Sequence, residues 1–306
     1  MVKINGENRG KYFGMRGLLF LGAIFLLAVF SGCSSTPKKP VEIFTDRNMA
    51  ANQLNLANQT AARGRFSDAL LILEEARRLA LSTDDPALRI KTSTSRGSIL
   101  FSLGRQAEAF REWENASTEA DAAGQSVLAA LARLYTIRAR IVLLGTDPQG
   151  GKQTDDAAVE FKNQIGKEML IVKADPLSAA AGYVTLGMAE KQLKHWTEAE
   201  DAVTAALKIH EKNLYLEDSA YDWFLIASIR SVSGKYASAL EALETAISFD
   251  RRAENGFGLA SSWQAKGEVY QKAGRPEEAG SARRRAAEIF RAIGLPDNAA
   301  KLEAQP

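Results

Sequence analysis

From about residue 48 onward, small and apolar residues return on one helical face and are interrupted at a regular interval. The last copy is the clearest. Trp263, Gly267 and Tyr270 fall at i, i+4 and i+7, on one side of a helix. Gly274 ends that helix, Arg275-Pro276 opens another, and Ala279 and Ala286 mark one face of it. Proline is tolerated in a first turn because no helical N–H is needed there. Six such hairpins align on Gly64, Gly104, Gly145, Lys194, Gly234 and Gly274, spaced by 40, 41, 49, 40 and 40 residues. Outside the third, alanine stands five residues after the turn position, at Ala69, Ala109, Ala199, Ala239 and Ala279. It stands again seven residues later, at Ala76, Ala116, Ala206, Ala246 and Ala286. Between each pair lies a core residue, Leu73, Trp113, Val203 or Leu243, with Arg283 the exception. Gly97, Gly187 and Gly267 stand seven before the turn, where paired helices are expected to approach most closely. Asp85-Pro86 and Asp175-Pro176 read as N-caps followed by first-turn prolines.

This order of tryptophan, glycine, tyrosine, turn glycine and paired alanines resembles the tetratricopeptide repeat (TPR). Arg65-Phe66, His195-Trp196 and Lys235-Tyr236 add the aromatic just past the turn that is usual in that family. The resemblance implies an all-α fold, a right-handed α-α superhelix of about six hairpins over residues 46–306. Each repeat buries its face only against its neighbours, so one continuous solenoid is expected, with Leu295 to Ala304 as a short capping helix. The usual repeat has about 34 residues. The 40-residue spacing here is closer to the longer variants in kinesin light chains and some bacterial regulators.

The third hairpin is irregular. Its first helix is expected over Val127 to Leu143 and its second from about Asp155 to Lys173. The connection beginning at Gly145 is longer than any other; its acids and glycines lack Ca²⁺-loop spacing. It reads as a surface insertion, or alternatively as a projecting partner contact.

The first 45 residues are of another kind. Lys3, Arg9, Lys11 and Arg16 precede an uncharged run from Gly17 to Phe30, too short for a permanent span of roughly 20 residues and suited to a secretory signal. The shorter leader from Met15 is complete on its own. Ser31-Gly32-Cys33 follows and resembles the bacterial lipobox, with Phe30 where leucine is usual. That resemblance implies removal of residues 1–32, acylation of Cys33, and a tether over residues 33–45. Ser34, rather than aspartate, after the cysteine points to the outer membrane, facing the periplasm. An ordinary secretory leader and an uncleaved anchor are the alternatives. Cys33 is the only cysteine, which excludes an internal disulfide and fits a thiol reserved for lipid.

Charge changes one conclusion. The whole chain is +2, but residues 1–32 hold four bases and one acid, leaving the mature chain at −1. A nucleic-acid partner is not expected, because phosphate neutralisation needs clustered Lys and Arg. Arg283-Arg284-Arg285 spreads around a helical turn as a solvated face. Nor is catalysis expected. The two histidines, His195 and His210, have no companion at metal-ligand spacing. There is no nucleophile elbow, phosphate loop or dinucleotide fingerprint. Gly256-Phe257-Gly258 reads as a hinge rather than a cofactor loop. No metal or cofactor is expected.

What remains is binding. In the family resembled, the first helix of each hairpin lines the concave wall. Counting back from the turns places Tyr135, Val142, Val184, Met188 and Phe224 on the expected wall of repeats three to five, and Tyr221 joins them on a helix expected to face inward. Tyr135, Val184 and Phe224 could instead be buried in a tightly wound superhelix. A carboxylate clamp of the chaperone type needs Lys and Asn at matching places, and only Asn58 fits. The expected function is a lipid-anchored adaptor that holds a protein partner in this groove. The alternative is a ligand-binding accessory of a transporter; a closed apolar pocket would favour it, an open groove the adaptor.

Overall fold

The computed structural model describes residues 45–145 and 151–304. Residues 1–44, which contain the leader, Cys33 and nearly all of the tether, lie outside the described residues, as do residues 146–150 of the third connection. The described residues hold thirteen helices and no strand. They are α1 (Thr45–Ala62), α2 (Phe66–Ser82), α3 (Pro86–Ser102), α4 (Gln106–Ala122), α5 (Ser126–Leu144), α6 (Lys152–Val172) and α7 (Pro176–Gln192). Then follow α8 (Trp196–Lys212), α9 (Leu216–Val232), α10 (Tyr236–Ala253), α11 (Gly256–Lys272), α12 (Pro276–Ala292) and α13 (Pro296–Glu303). They pair as six antiparallel hairpins with α13 as a cap, forming the right-handed TPR-like superhelix.

The 40-residue period has a simple origin. Most helices are 17 residues long, and they are joined by tight turns such as Thr83–Asp85 and Leu103–Arg105. Most of the tight turns, within and between hairpins, contain one left-handed residue. Gly64, Gly104, Gly234 and Gly274 serve inside hairpins; Asp84, Gly124, Leu214, Glu254 and Gly294 serve between them. Lys194 takes the role in the fourth hairpin at φ +62°. Two of the helices open as the sequence predicts. Asp85 accepts a hydrogen bond from Leu88 N at 3.0 Å and Asp175 one from Ser178 N at 2.9 Å.

The alanine ladder is the contact surface of the hairpins. All ten of its alanines are 0% exposed, so any larger side chain there would push two helices apart. The glycines seven before the turn receive the core residue of the facing helix. A Cβ on Gly97 would lie 2.5 Å from the Trp113 ring, and one on Gly187 would lie 2.5 Å from Val203. Ala57 and Ala227 fill the same place opposite Leu73 and Leu243.

The third hairpin keeps its core. Ala158, Ile165 and Val172 of α6 are buried, with Phe161 and Met169 packed beside them. At the far end α13 lays Ala299 and Leu302 on Phe290. The expected hinge at Gly256-Phe257-Gly258 is instead the first turn of α11. Asn255 caps that turn by accepting from Gly258 N at 3.0 Å.

The superhelix also meets itself. The Phe66 ring of the first hairpin packs edge-on against Phe257 of the sixth at 5.1 Å. Gly64 and Gly256 both lie against Ile293, and a Cβ on either would come within 2.8 Å of it. Arg63 and Glu254 add an exposed ion pair at 3.2 Å.

Candidate functional site

Helices α5, α7 and α9 present the residues of the expected wall, and two neighbouring recesses are cut beside them, the second bordered also by α11. The first, about 290 Å³, is lined by Ile141, Val142, Met188, Lys191, Tyr221, Phe224 and Ser228, among others. The second, about 300 Å³, is lined by Tyr221, Phe224, Asp250, Asn255, Phe257, Gly258, Ser261 and Ser262, with Ala220. Tyr221 and Phe224 belong to both. Their rings, nearly parallel at 12° and 6.3 Å apart, form the partition.

Four of the six expected wall residues, Val142, Met188, Tyr221 and Phe224, thus meet around one recess. Val142 and Tyr221 remain 38% and 39% exposed, so the recess opens to solvent. Tyr221 lies with its hydroxyl 3.9 Å from the Met188 sulfur, and burial pushes its phenol up. The other two residues are elsewhere. Val184 is 2% exposed within the core and offers no surface to a partner. Ten residues before the turn, its helix face is turned toward adjoining helices. Tyr135 is half-buried, stacks on Trp113 at 6.3 Å and 15°, carries the Arg138 guanidinium 5.1 Å from its ring centroid, and lines neither recess.

The polar groups of the site follow from its shape. Lys191, in the last turn of α7, donates to Ser228 Oγ at 2.6 Å and makes no ion pair among the described residues. Burial, reinforced by Lys272, lowers its ammonium below the usual lysine range. Beyond the partition the sign reverses. Asp250, 2% exposed, accepts from Asn255 Nδ2 at 2.7 Å and Ser262 Oγ at 3.2 Å. Burial lifts its carboxyl to about 7, the two hydrogen bonds only partly opposing this. Burial also raises Glu217 nearby, with the charge of Asp218 adding to it.

Behind the wall, His210 Nδ1 lies 2.6 Å from Asp222 Oδ2, both buried. Burial opposes the charge on each. It pushes Asp222 up to about 6. For His210 burial is the largest single effect and lowers the imidazole, but the bond to Asp222 and the charges of Asp222 and Asp218 together raise it. His195 holds Glu190 at 2.8 Å together with Lys162 at 2.7 Å, a brace between α6 and α7. Both histidines are therefore structural partners of acids.

Asp250 and Asp222 were not singled out from the sequence, although a signal existed. His210 and Asp250 stand one repeat apart, and so do Asp222 and Ser262. His210 with Asp222, and Asp250 with Ser262, each join the end of one hairpin to the start of the next.

Among the described residues, no group of three or more His, Cys, Asp or Glu could hold a metal ion. No helix there is long and apolar enough to cross a membrane. No protein-family model and no curated protein matches the chain. Solved structures do. A Rap protein complexed with Competence and Sporulation Factor aligns with TM-score 0.54 and 15% identity, over 83% of this chain and 69% of that one. BtubC from P. vanneervenii aligns at 0.46 and 17%, over 80% and 92%. The MamA protein aligns at 0.35 and 15%, over 85% and 98%. Of these three the Rap match carries the weight, and it shows the fold.

Proposed function

We propose that this chain is a lipid-anchored cell-envelope protein that docks a short segment of a partner protein in the recesses on either side of Tyr221 and Phe224. One observation carries the reading: two aromatic rings and Met188 border a solvent-open recess on the expected wall. Aromatic and methionine side chains are enriched at interface cores, and methionine adapts to varied shapes. Recesses of about 300 Å³ suit individual side chains of an extended segment rather than a folded domain. The Rap structure, determined with Competence and Sporulation Factor, is consistent with a fold that receives a ligand. No catalytic role is proposed.

A photo-crosslinking residue at Val142 in the native membrane tests this. A discrete protein adduct is expected, lost on Phe224→Ala and absent when the crosslinker replaces the exposed Leu71. An adduct that persists in a folded Phe224→Ala variant would move the docking site elsewhere. The anchor rests on the Ser31-Gly32-Cys33 sequence. Cys33→Ser is expected to leave unprocessed precursor, while the wild type partitions into detergent. A wild-type protein with a free, unlipidated N-terminus would remove the anchor. Ser34 supports the outer membrane, and fractionation of the acylated protein checks it.

The second reading, an accessory that presents a small ligand to a transporter, draws on the contact between the first and sixth hairpins. It predicts that the same recesses bind a small molecule and that no protein adduct forms.

A further inference from the structure

The recess beyond the partition has an unusual chemical composition. Its floor is the carboxyl of Asp250, in the last turn of α10. The C-terminal end of a helix is the negative end of its dipole, so an anion there is disfavoured. Both hydrogen-bond donors to this carboxyl, Asn255 and Ser262, are neutral, and no Lys, Arg or His pairs with it among the described residues. The ionisable neighbour that acts on it is another acid, Glu217 of α9.

The preceding repeat shows what is missing. There the same junction is His210 against Asp222, in which an imidazole and a carboxylate can compensate one another. One repeat later the histidine is replaced by Asp250 and the aspartate by Ser262. The acid has moved to the other side of the junction, and no cation has followed it.

The walls favour a cation. Tyr221, Phe224 and Phe257 bring three aromatic rings to one small recess, and the face of such a ring attracts an ammonium. Gly258 keeps the carboxyl approachable, because a Cβ at that position would lie 2.4 Å from Asp250 Oδ1. Each Asp250 oxygen already accepts one hydrogen bond and keeps a second lone pair. Apolar walls with one anion at the floor match a long apolar stem tipped by a charge, the shape of a lysine side chain. A guanidinium would seek a free carboxylate edge for two parallel bonds, and Asn255 and Ser262 occupy much of that edge.

We propose that this recess binds a primary ammonium group, that of a lysine in the segment docked against Tyr221 and Phe224. The inference deepens the docking function above and rests on it. Because burial and Glu217 hold the carboxyl near neutrality, ammonium binding should expel a proton. Affinity should therefore rise from pH 6 to pH 8.

Calorimetric titration of the full-length chain in detergent with n-pentylammonium, and with 1-pentanol as the neutral analogue, tests it. The ammonium should bind at least about tenfold more tightly than the alcohol. Asp250→Asn should abolish that preference and leave alcohol binding unchanged. Tyr221→Leu should weaken the ammonium selectively, and it decides the question if Asp250→Asn fails to fold. Equal binding of the two probes, no binding of the ammonium, or undiminished binding by folded Asp250→Asn would overturn the proposal. The crosslinking assay separates the two conclusions. A Val142 adduct that survives Asp250→Asn, with no amine binding, sinks the ammonium site and leaves docking intact. Amine binding with no protein adduct supports the pocket and overturns a partner's lysine as its source, leaving a free amine.

Discussion

Replacing Asp250 by Asn should stabilise this protein at pH 8 and not at pH 4. The usual aspartate value is 3.8, and burial in the fold raises it to about 7. A raised value means that the folded state holds the proton more tightly than the unfolded state. The contribution is therefore fully present below about pH 4 and is lost as pH rises to about 7. At roughly 1.4 kcal/mol per tenfold change in proton affinity, the ionised carboxyl costs the fold at most about 4 kcal/mol above pH 7. Asn has the same shape and no charge. Its oxygen can accept from Asn255, and its amide can donate to Ser262 if that hydroxyl turns to accept. One amide N–H gains no described partner, which costs about 1 kcal/mol. The expected balance is a gain of about 3 kcal/mol at pH 8 and a loss of about 1 kcal/mol at pH 4. Thermal midpoints by circular dichroism, wild type against variant at each pH, cancel the titration of all other groups. A difference independent of pH, or a variant less stable at pH 8, would refute the account of Asp250. A carboxyl that costs stability at neutral pH is the kind of group retained at a ligand site.

Three further outcomes are expected. Trp113→Ala should cost about 3–5 kcal/mol, because this ring is 2% exposed, donates to Thr94 O at 3.1 Å and sits on Gly97; chemical denaturation measures it, and a loss below 1 kcal/mol would contradict the packing. Leu214→Gly should stabilise by about 1 kcal/mol, because Leu214 is 78% exposed and held at φ +60°, where an L-residue is strained. Phe66→Ala should separate the two ends of the solenoid, while Glu254→Arg, which reverses an ion pair exposed at 47% and 75% and worth under about 1 kcal/mol, should not. Spin labels at Ser102 and Lys301, with Cys33 removed, read that separation, and an unchanged distance in Phe66→Ala would contradict an apolar seam.

The hairpins were legible because their contacts lie within one period. A fully buried alanine on the second helix leaves a mark every 40 residues, as does a glycine or alanine opposite the core residue of that helix. The helix starts at Pro86 and Pro176 were legible because their caps are local. The wall was only half legible. Counting back from a turn gives the face of a helix, but which face meets a neighbour depends on the rotation between successive hairpins. Val184 was placed in the groove and lies in the core for that reason. Lys191 is half-buried against Ser228, a position that depends on packing that spacing alone does not reveal. Asp250 and Asn255 were missed because an acid near a helix end reads as solvated surface until the next repeat is laid over it. The glycines of Gly256-Phe257-Gly258 suggested freedom. Their role is proximity instead, one to Ile293 and the other to the Asp250 carboxyl.

The contact between the first and sixth hairpins lies furthest from sequence reasoning, because it joins residues about 190 apart and belongs to no repeat. An array stabilised only by nearest neighbours can gain or lose a hairpin at its end without altering the others. Here Phe66 meets Phe257, and Ile293 covers Gly64 and Gly256, so the two ends are not independent. Phe257 is at once part of this seam and part of the recess wall beside Asp250. A side chain entering that recess touches a residue whose other face holds the ends together. Because Phe257 also packs on Phe290 at 6.1 Å, a shift of its ring would be felt on both sides of the seam. The recess wall and the seam of the superhelix therefore share one ring. A ligand that binds better to one arrangement of Phe257 must shift the other by the same free energy.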